Sequence, residues 1–521
     1  MCSLRSSNML ERGSFNEERV NEAFRKVRNR LRKHFPFEIV TACIKKLNEH
    51  PTDRLQYLRM YPPWRLLLLV KWAFIYGEYL SPDRRPLTAD SFNYLLNRMH
   101  DLEGCLRHPG EYENIFLFFR NMAFQQFWLQ HEFNMVNFAR QSLLFGRLDN
   151  RHPFQKRFTE KCGISIPEFI ELATMIVTRF TILNTILKQR TVTSEWFRKV
   201  ADKYKPGTIQ KFLDLLAIDF ESLKEKLMKQ QSNRKVQYEA YEKTPLRETP
   251  LLKHNSKYYP FSPELLARCL ETFIYDTLRS DGPNDFMNKF GPIFEKYVGN
   301  SVSNTKIRYF TEKELSDILP GKGKLVDYLL VDEGNKIFVD AKGVEMSYLG
   351  MVGHQPEVIT DKTRNSIVKG IQQGFETAGR LESIKNLSEV EIGEGNNYLI
   401  VVTFKDMFVG NGLDFYEYVA KDTLNELISH YGGTAPIPFE HMYFMSIDDF
   451  DLLAGGIASG EIGLIRILEH AVKSDALWKT KKFTFGQHIY DMHPKIRAPV
   501  WLVDESKYIL DCCKLRFNTE I

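Results

Sequence analysis

The sequence predicts an α+β multidomain protein: an all-α N-terminal region followed by a mixed α/β domain. Three observations carry that expectation. From about residue 15 to 230, apolar residues recur at helical spacing, with few alternating β-branched runs between them. From Phe261 the pattern alternates instead, and five strand-like segments follow. Between the two, SNRKVQYEAYEKTPLRETPLLKHNSKYY is polar and carries Pro245 and Pro250. The expected division is a helical domain at 1–230, a linker or strap at 231–260, and the α/β domain with a C-terminal extension at 261–521. A chain of 521 residues exceeds what one core usually holds, which agrees with that division.

The elements can be justified in order. Phe24, Val27 and Leu31 make one apolar helical face, with Arg25, Lys26, Arg28, Arg30, Arg32 and Lys33 around it. PPWRLLLLVKWAFIYGEYL is interrupted by Arg65 and Lys71, so it falls short of the roughly 20 apolar residues that span a bilayer. It reads as a buried helix opened by Pro62 and Pro63. Further helices are expected over FEIVTACIKKL, SFNYLLNRMHDL, NIFLFFRNMAFQQFWLQ, IPEFIELATMIVTRFTILNTIL and TIQKFLDLLAIDFESLKEKLMKQQ. After the strap, SPELLARCLETFIYDTLR is a helix with Ser262 as N-cap and Pro263 at N1. DFMNKFGPIFEKYVGNSV follows. The strands are KIRYF, KLVDYLLVD, NKIFVDAK, NYLIVVTF and HMYFMSI, with a helix from about Arg364 to Ile384 between the third and fourth.

Composition excludes several classes. Hydrophobic content of 43% and charged content of 26% are ordinary for a globular protein, and a net charge of +5 is no polycation. The seven cysteines are scattered without C-x-x-C pairs, so neither a disulfide framework nor a zinc ribbon is expected. The N-terminus carries charges where a signal peptide would be apolar, and a cytoplasmic protein without membrane contact is the expectation. Pro320-Gly321-Lys322-Gly323-Lys324 precedes a strand and does not open a helix, so it is no P-loop.

The chemistry concentrates in Asp327 and in the run LLVDEGNKIFVDAK, which ends in Asp340 and Lys342. Residues i and i+2 of a strand share a face, so Asp340 and Lys342 project together. A turn at Gly334-Asn335 folds that strand back and brings Asp327 alongside. Two carboxylates beside one ammonium form a cup for Mg²⁺, with Mn²⁺ as a substitute, and the Ala341 carbonyl offers a further oxygen. Asp327 and Asp340 are then metal ligands. Lys342 would orient or deprotonate a water and stabilise a pentavalent transition state. The alternative is two solvent-facing acids with a surface ion pair.

These pieces resemble the PD-(D/E)xK, restriction-endonuclease-like nuclease superfamily over about Phe261–Ser446. The matching parts are FGPIFEKYV with Glu295, LVDYLLVD with Asp327, IFVDAKG with Asp340 and Lys342, and the succeeding helix. Val326 stands where proline is nominal, and Asp340 where glutamate is commoner. The resemblance implies a Mg²⁺-dependent endonuclease hydrolysing nucleic acid, DNA before RNA. It adds Glu295 as a further metal ligand and Gln372 as a catalytic-site glutamine on the helix after the motif, with Gln373 pointing away. The fusion of a large helical region to such a domain resembles effectors of bacterial anti-phage defence. Two alternatives stand beside it: a nucleic-acid-binding or scaffolding protein with a degenerate nuclease fold, and a site-specific restriction enzyme, which implies a homo-oligomer.

Substrate contacts must come from local basic clusters. FRKVRNRLRKHF and WKTKK, the latter with Trp478, are the two strongest. The stretch GVEMSYLGMVGHQPEVITDKT is long for a loop between strand and helix, which marks it as functional.

Overall fold

The computed structural model describes residues 17–49, 53–79, 83–106, 114–130, 133–179, 191–231, 235–319, 321–384 and 392–517. The expected helix through TRFTILNTIL therefore lies partly outside the described residues, as do the N-terminal segment and Pro320. The chain is mostly helical, with two small mixed sheets. It divides into two compact units. One comprises the described residues of Met1–Gln141, Leu148–Thr277 and Tyr508–Ile521, the other those of Ser142–Arg147 and Leu278–Lys507. No helix among the described residues is long and apolar enough to cross a membrane.

In the first unit, helix α1 (Glu17–Leu31) buries Val20, Phe24, Val27 and Leu31 and leaves Arg25, Lys26, Arg32 and Lys33 exposed. Helix α2 (Pro63–Tyr76) is the apolar segment, with Pro at its start. Its two cations are buried rather than displayed. Arg65 pairs with Glu103 at 2.5 Å, and Lys71 sits 2.6 Å from both Glu239 and Glu242. Glu239 also takes the Trp72 indole N–H at 2.9 Å. Buried ions persist only when paired and hydrogen-bonded. The polar stretch after Lys235 supplies those two glutamates, so it is built into this unit.

Two expectations for this region are corrected. The run TIQKFLDLLAIDFESLKEKLMKQQ is not one helix: strand β1 (Ala217–Asp219) separates Thr208–Leu216 from Phe220–Gln231. β1 pairs in parallel with β2 (Leu251–His254), which pairs antiparallel with β3 (Lys257–Pro260). The region is therefore not all-α. The periodicity runs through Ala217–Asp219 because an edge segment of three residues is too short to break an apolar pattern. SPELLARCLETFIYDTLR likewise forms two helices, Pro263–Leu270 and Phe273–Ser280, the first capped by Ser262.

The second unit is organised on a five-stranded sheet, β4 (Arg308–Thr311), β5 (Tyr328–Asp332), β6 (Asn335–Lys342), β7 (Asn397–Thr403) and β8 (Met442–Ser446), in spatial order 4-5-6-7-8. The β4–β5 and β5–β6 pairs are antiparallel; β6–β7 and β7–β8 are parallel. The β5–β6 turn is Glu333-Gly334, with φ of +47° and +78°, one residue earlier than expected. Positive φ at both turn residues matches the twist of the strands, and Asn335 becomes the first paired residue, opposite Asp332.

Helix α3 (Pro283–Asn304) buries Phe286, Phe290, Phe294, Tyr297 and Val298 and lies on the Tyr328 side of this sheet, where its Glu295 carbonyl accepts the Tyr328 hydroxyl at 3.1 Å. Close approach depends on Gly343, where a Cβ would stand 3.0 Å from the Phe290 ring. Short helix α4 (Glu312–Ile318) follows β4, opened by a Thr311/Glu314 capping box. The stretch expected as a long loop after Lys342 is instead largely helical: Tyr348–Val352, then α5 (Pro356–Thr363). A π-helical turn at Arg364–Val368 joins α5 to α6 (Lys369–Glu382). α6 covers the Asp340–Val401 side of the sheet. A Cβ at Gly370 would meet Val401 at 2.8 Å, and one at Gly374 would meet Leu399 at 3.0 Å. Only residues without side chains let the helix lie so close.

Candidate active site

Register brings the two aspartates together. Tyr328 lies opposite Val339, so Asp327 falls opposite Asp340 at the open end of the hairpin. Alternation puts Asp327, Asp340 and Lys342 on the face that α6 covers. Asp327 Oδ2 accepts the Ala341 N–H at 2.6 Å, which fixes its carboxylate across the two strands. The Asp327 carbonyl accepts the Glu312 N–H at 2.9 Å, tying the start of α4 to the same point.

Asp340 is 0% exposed, and its carboxylate faces the Lys342 ammonium. Lys342 Nζ lies 2.5 Å from Asp340 Oδ2, a buried ion pair, while Oδ1 has no hydrogen-bond partner. Lys342 also donates to Gln373 Oε1, at 2.8 Å. Gln373 in turn donates to the Leu325 carbonyl at 2.6 Å, so its amide is held at both ends. The lysine is thereby aimed by α6 as well as by its own strand.

The electrostatics follow from burial. Burial, then the Asp340 charge, pushes the Asp327 carboxyl up to about 8, against the Ala341 N–H and Lys342. Burial also raises Asp340, with Lys342 and then Lys369 opposing. Glu295, half-buried on α3, is raised by burial, by Glu312 and by Asp340. Lys369 is lowered by burial and by the neighbouring Lys324 and Lys342. The structure therefore brings Asp327, Asp340, Lys342 and Glu295 into one electrostatic neighbourhood.

It does not bring Gln372 there. Gln372 is exposed and Gln373 is buried, the reverse of the expected arrangement. The stripe Val368–Ile371–Phe375 marks one edge of the packed face, whose centre runs through Gly370, Gly374 and Leu381. At 3.6 residues per turn Gln372 lies roughly 160° from that centre and Gln373 on its border. Sequence reasoning also missed Lys324, Lys369 and Glu312. The signal for the first two was the small-residue face Gly370–Gly374–Thr377, which shows where the helix presses on the sheet.

The basic run WKTKK supplies less than its charge suggests. Lys482 pairs with Asp491 at 3.2 Å and Lys481 with Asp414, while Trp478 is 72% exposed.

A protein-family scan, a search of curated proteins and a search of solved structures each return no match to this chain. The site must therefore be read from its own chemistry. Among the described residues no three His, Cys, Asp or Glu side chains converge closely enough to hold a metal ion as they stand. Yet Asp340 Oδ1 is buried without a partner and Asp327 stands opposite, so two buried carboxylates share one close ammonium, and buried charges are retained by pairing or by coordinating metals. The donors at hand are oxygens, which suit a hard divalent cation. Asp327 and Asp340 fit that role, with Glu295 at the rim.

Proposed function

We propose that the second unit is a divalent-cation-dependent phosphodiesterase that cuts nucleic acid as an endonuclease, DNA before RNA. The observation that carries this reading is Asp340: wholly buried opposite Asp327, ion-paired to a lysine that Gln373 holds in place, with Oδ1 left without a partner. The sequence resemblance to PD-(D/E)xK nucleases agrees with it.

Asp327 and Asp340 would hold Mg²⁺ or Mn²⁺. The chemistry such a cation supplies when bound is neutralisation of the charge that builds on the phosphate. Lys342 holds its ammonium where it orients the attacking water and stabilises the pentavalent phosphate. The water oxygen loses a proton to solvent and bonds to phosphorus, one ester P–O bond breaks, and the departing oxygen takes a proton from solvent. Gln373 is a positioning residue: it touches Lys342, not substrate.

A second reading, a nucleic-acid-binding or scaffolding protein on a degenerate nuclease fold, is favoured by the absence of three converged ligands among the described residues. Incubating the full chain with plasmid, linear DNA, single-stranded DNA and RNA separates the two. The phosphodiesterase reading predicts cleavage with Mg²⁺ or Mn²⁺ and none in EDTA. Binding without cleavage of any of these substrates supports the scaffold instead.

A further inference from the structure

We propose that Lys324 and Lys369 form a phosphate subsite beside Asp340, seating a phosphate of the polynucleotide next to the one that is cut; this rests on the phosphodiesterase reading of the Asp340 centre. Three lysines gather at the start of α6: Lys342 bonded to Gln373, Lys369 on the first turn, and Lys324 on the loop whose Leu325 carbonyl Gln373 holds. Lys342 is accounted for by Asp340 and Gln373. The other two are not. Lys369 is half-buried and precedes Gly370, where a Cβ would stand only 3.0 Å from Asp340 Oδ2. Its backbone is therefore fixed against the catalytic centre.

Lys324 is carried in by a loop that α6 pins from two points. Gln373 donates to the Leu325 carbonyl at 2.6 Å, and Arg380 donates to the Lys322 carbonyl at 2.6 Å. The Arg380 guanidinium lies over Gly323, at φ +157°, where a Cβ would collide with it. The result places Lys324 close enough to Lys369 for its charge to help lower the Lys369 ammonium. Among the described residues the carboxylate that draws on Lys369 is Asp340, which is already ion-paired with Lys342.

Two like charges held side by side repel, and the fold maintains them at the edge of a site whose substrate would be an anion. An anion seated between them reverses the sign of the interaction. The non-bridging oxygens of one phosphodiester accept from two ammoniums at once and carry the negative charge that a neutral carbonyl or hydroxyl lacks. The position beside Asp340 makes the neighbouring phosphate of the same strand the natural occupant.

The test is anisotropy of a labelled single-stranded DNA oligonucleotide with the full chain in EDTA, titrated with KCl. Lys324→Ala/Lys369→Ala is expected to lower affinity at least about tenfold and to reduce the slope of log K against log salt by about 1 to 2. Lys324→Arg/Lys369→Arg should retain both. Thermal melting of the Ala variant should be unchanged or raised, because a repulsion is removed, so loss of binding is not loss of fold. An unchanged slope in a folded variant, or no binding by the unaltered chain, overturns the subsite. Cleavage in Mg²⁺ with an unchanged slope removes the subsite alone. Lysine-dependent binding with no cleavage under any divalent cation upholds the subsite and removes the phosphodiesterase reading.

Discussion

Asp340→Asn is expected to lower cation-dependent cleavage by at least about 100-fold and, in the same protein, to raise the melting temperature of the cation-free chain at pH 8. The two effects share a cause. Asp340 is wholly buried, and its charge repels Asp327. Both carboxyls are held above their ordinary value of 3.8, Asp327 up to about 8. Between those values the folded chain binds more protons than the unfolded chain. The penalty is therefore absent at low pH, grows as pH rises from about 4, and is complete above about 8. The isosteric amide removes one of the two charges. Melting should rise by roughly 2–4 °C for each kcal/mol relieved in a unit of this size. Melting curves of both proteins in EDTA at pH 5 and pH 8 check this: the gain should appear at pH 8 and shrink at pH 5. A variant that melts lower at pH 8 would mean that Asp340 stabilises the fold by itself.

Lys342→Ala should lower the cleavage rate by about 10²–10⁴-fold, the range for a group acting on the reacting proton or charge. Gln373→Ala should cost less, on the order of tenfold, because it acts only through the placement of Lys342. Gln372→Ala should leave the rate within about twofold, since its side chain is exposed on the far side of α6. The gradient Lys342, Gln373, Gln372 distinguishes a positioned lysine from a surface ion pair, which predicts small and equal effects for all three. Rates under saturating substrate are the relevant readout, because loss of positioning lowers kcat more than it raises KM.

Much of the centre was legible because strand geometry has a period of two. Once NKIFVDAK is a strand, Asp340 and Lys342 must share a face, and the hairpin sets Asp327 opposite. The turn was displaced by one residue because Asn-containing turns are favoured generally, whereas here Glu333 accepts the left-handed conformation. The glutamine was misplaced for a different reason. Helical faces are usually traced through large apolar residues, but α6 packs through glycines, which leave no hydrophobic signal. Lys324 and Lys369 are 45 residues apart in sequence, and contacts of Gln373, Thr377 and Arg380 with the loop bring them together. The long segment after Lys342 lacked a clear period because Gly353 and Pro356 divide it into short helices.

The central claim is that Asp327 and Asp340 hold a divalent cation, and Mn²⁺ titration followed by electron paramagnetic resonance tests it without relying on any substrate. Because bound protons must leave first, affinity in the full chain should rise as pH increases toward about 8, and Asp340→Asn should abolish the site. Equal, pH-independent Mn²⁺ binding by the unaltered chain and by Asp340→Asn would contradict the account.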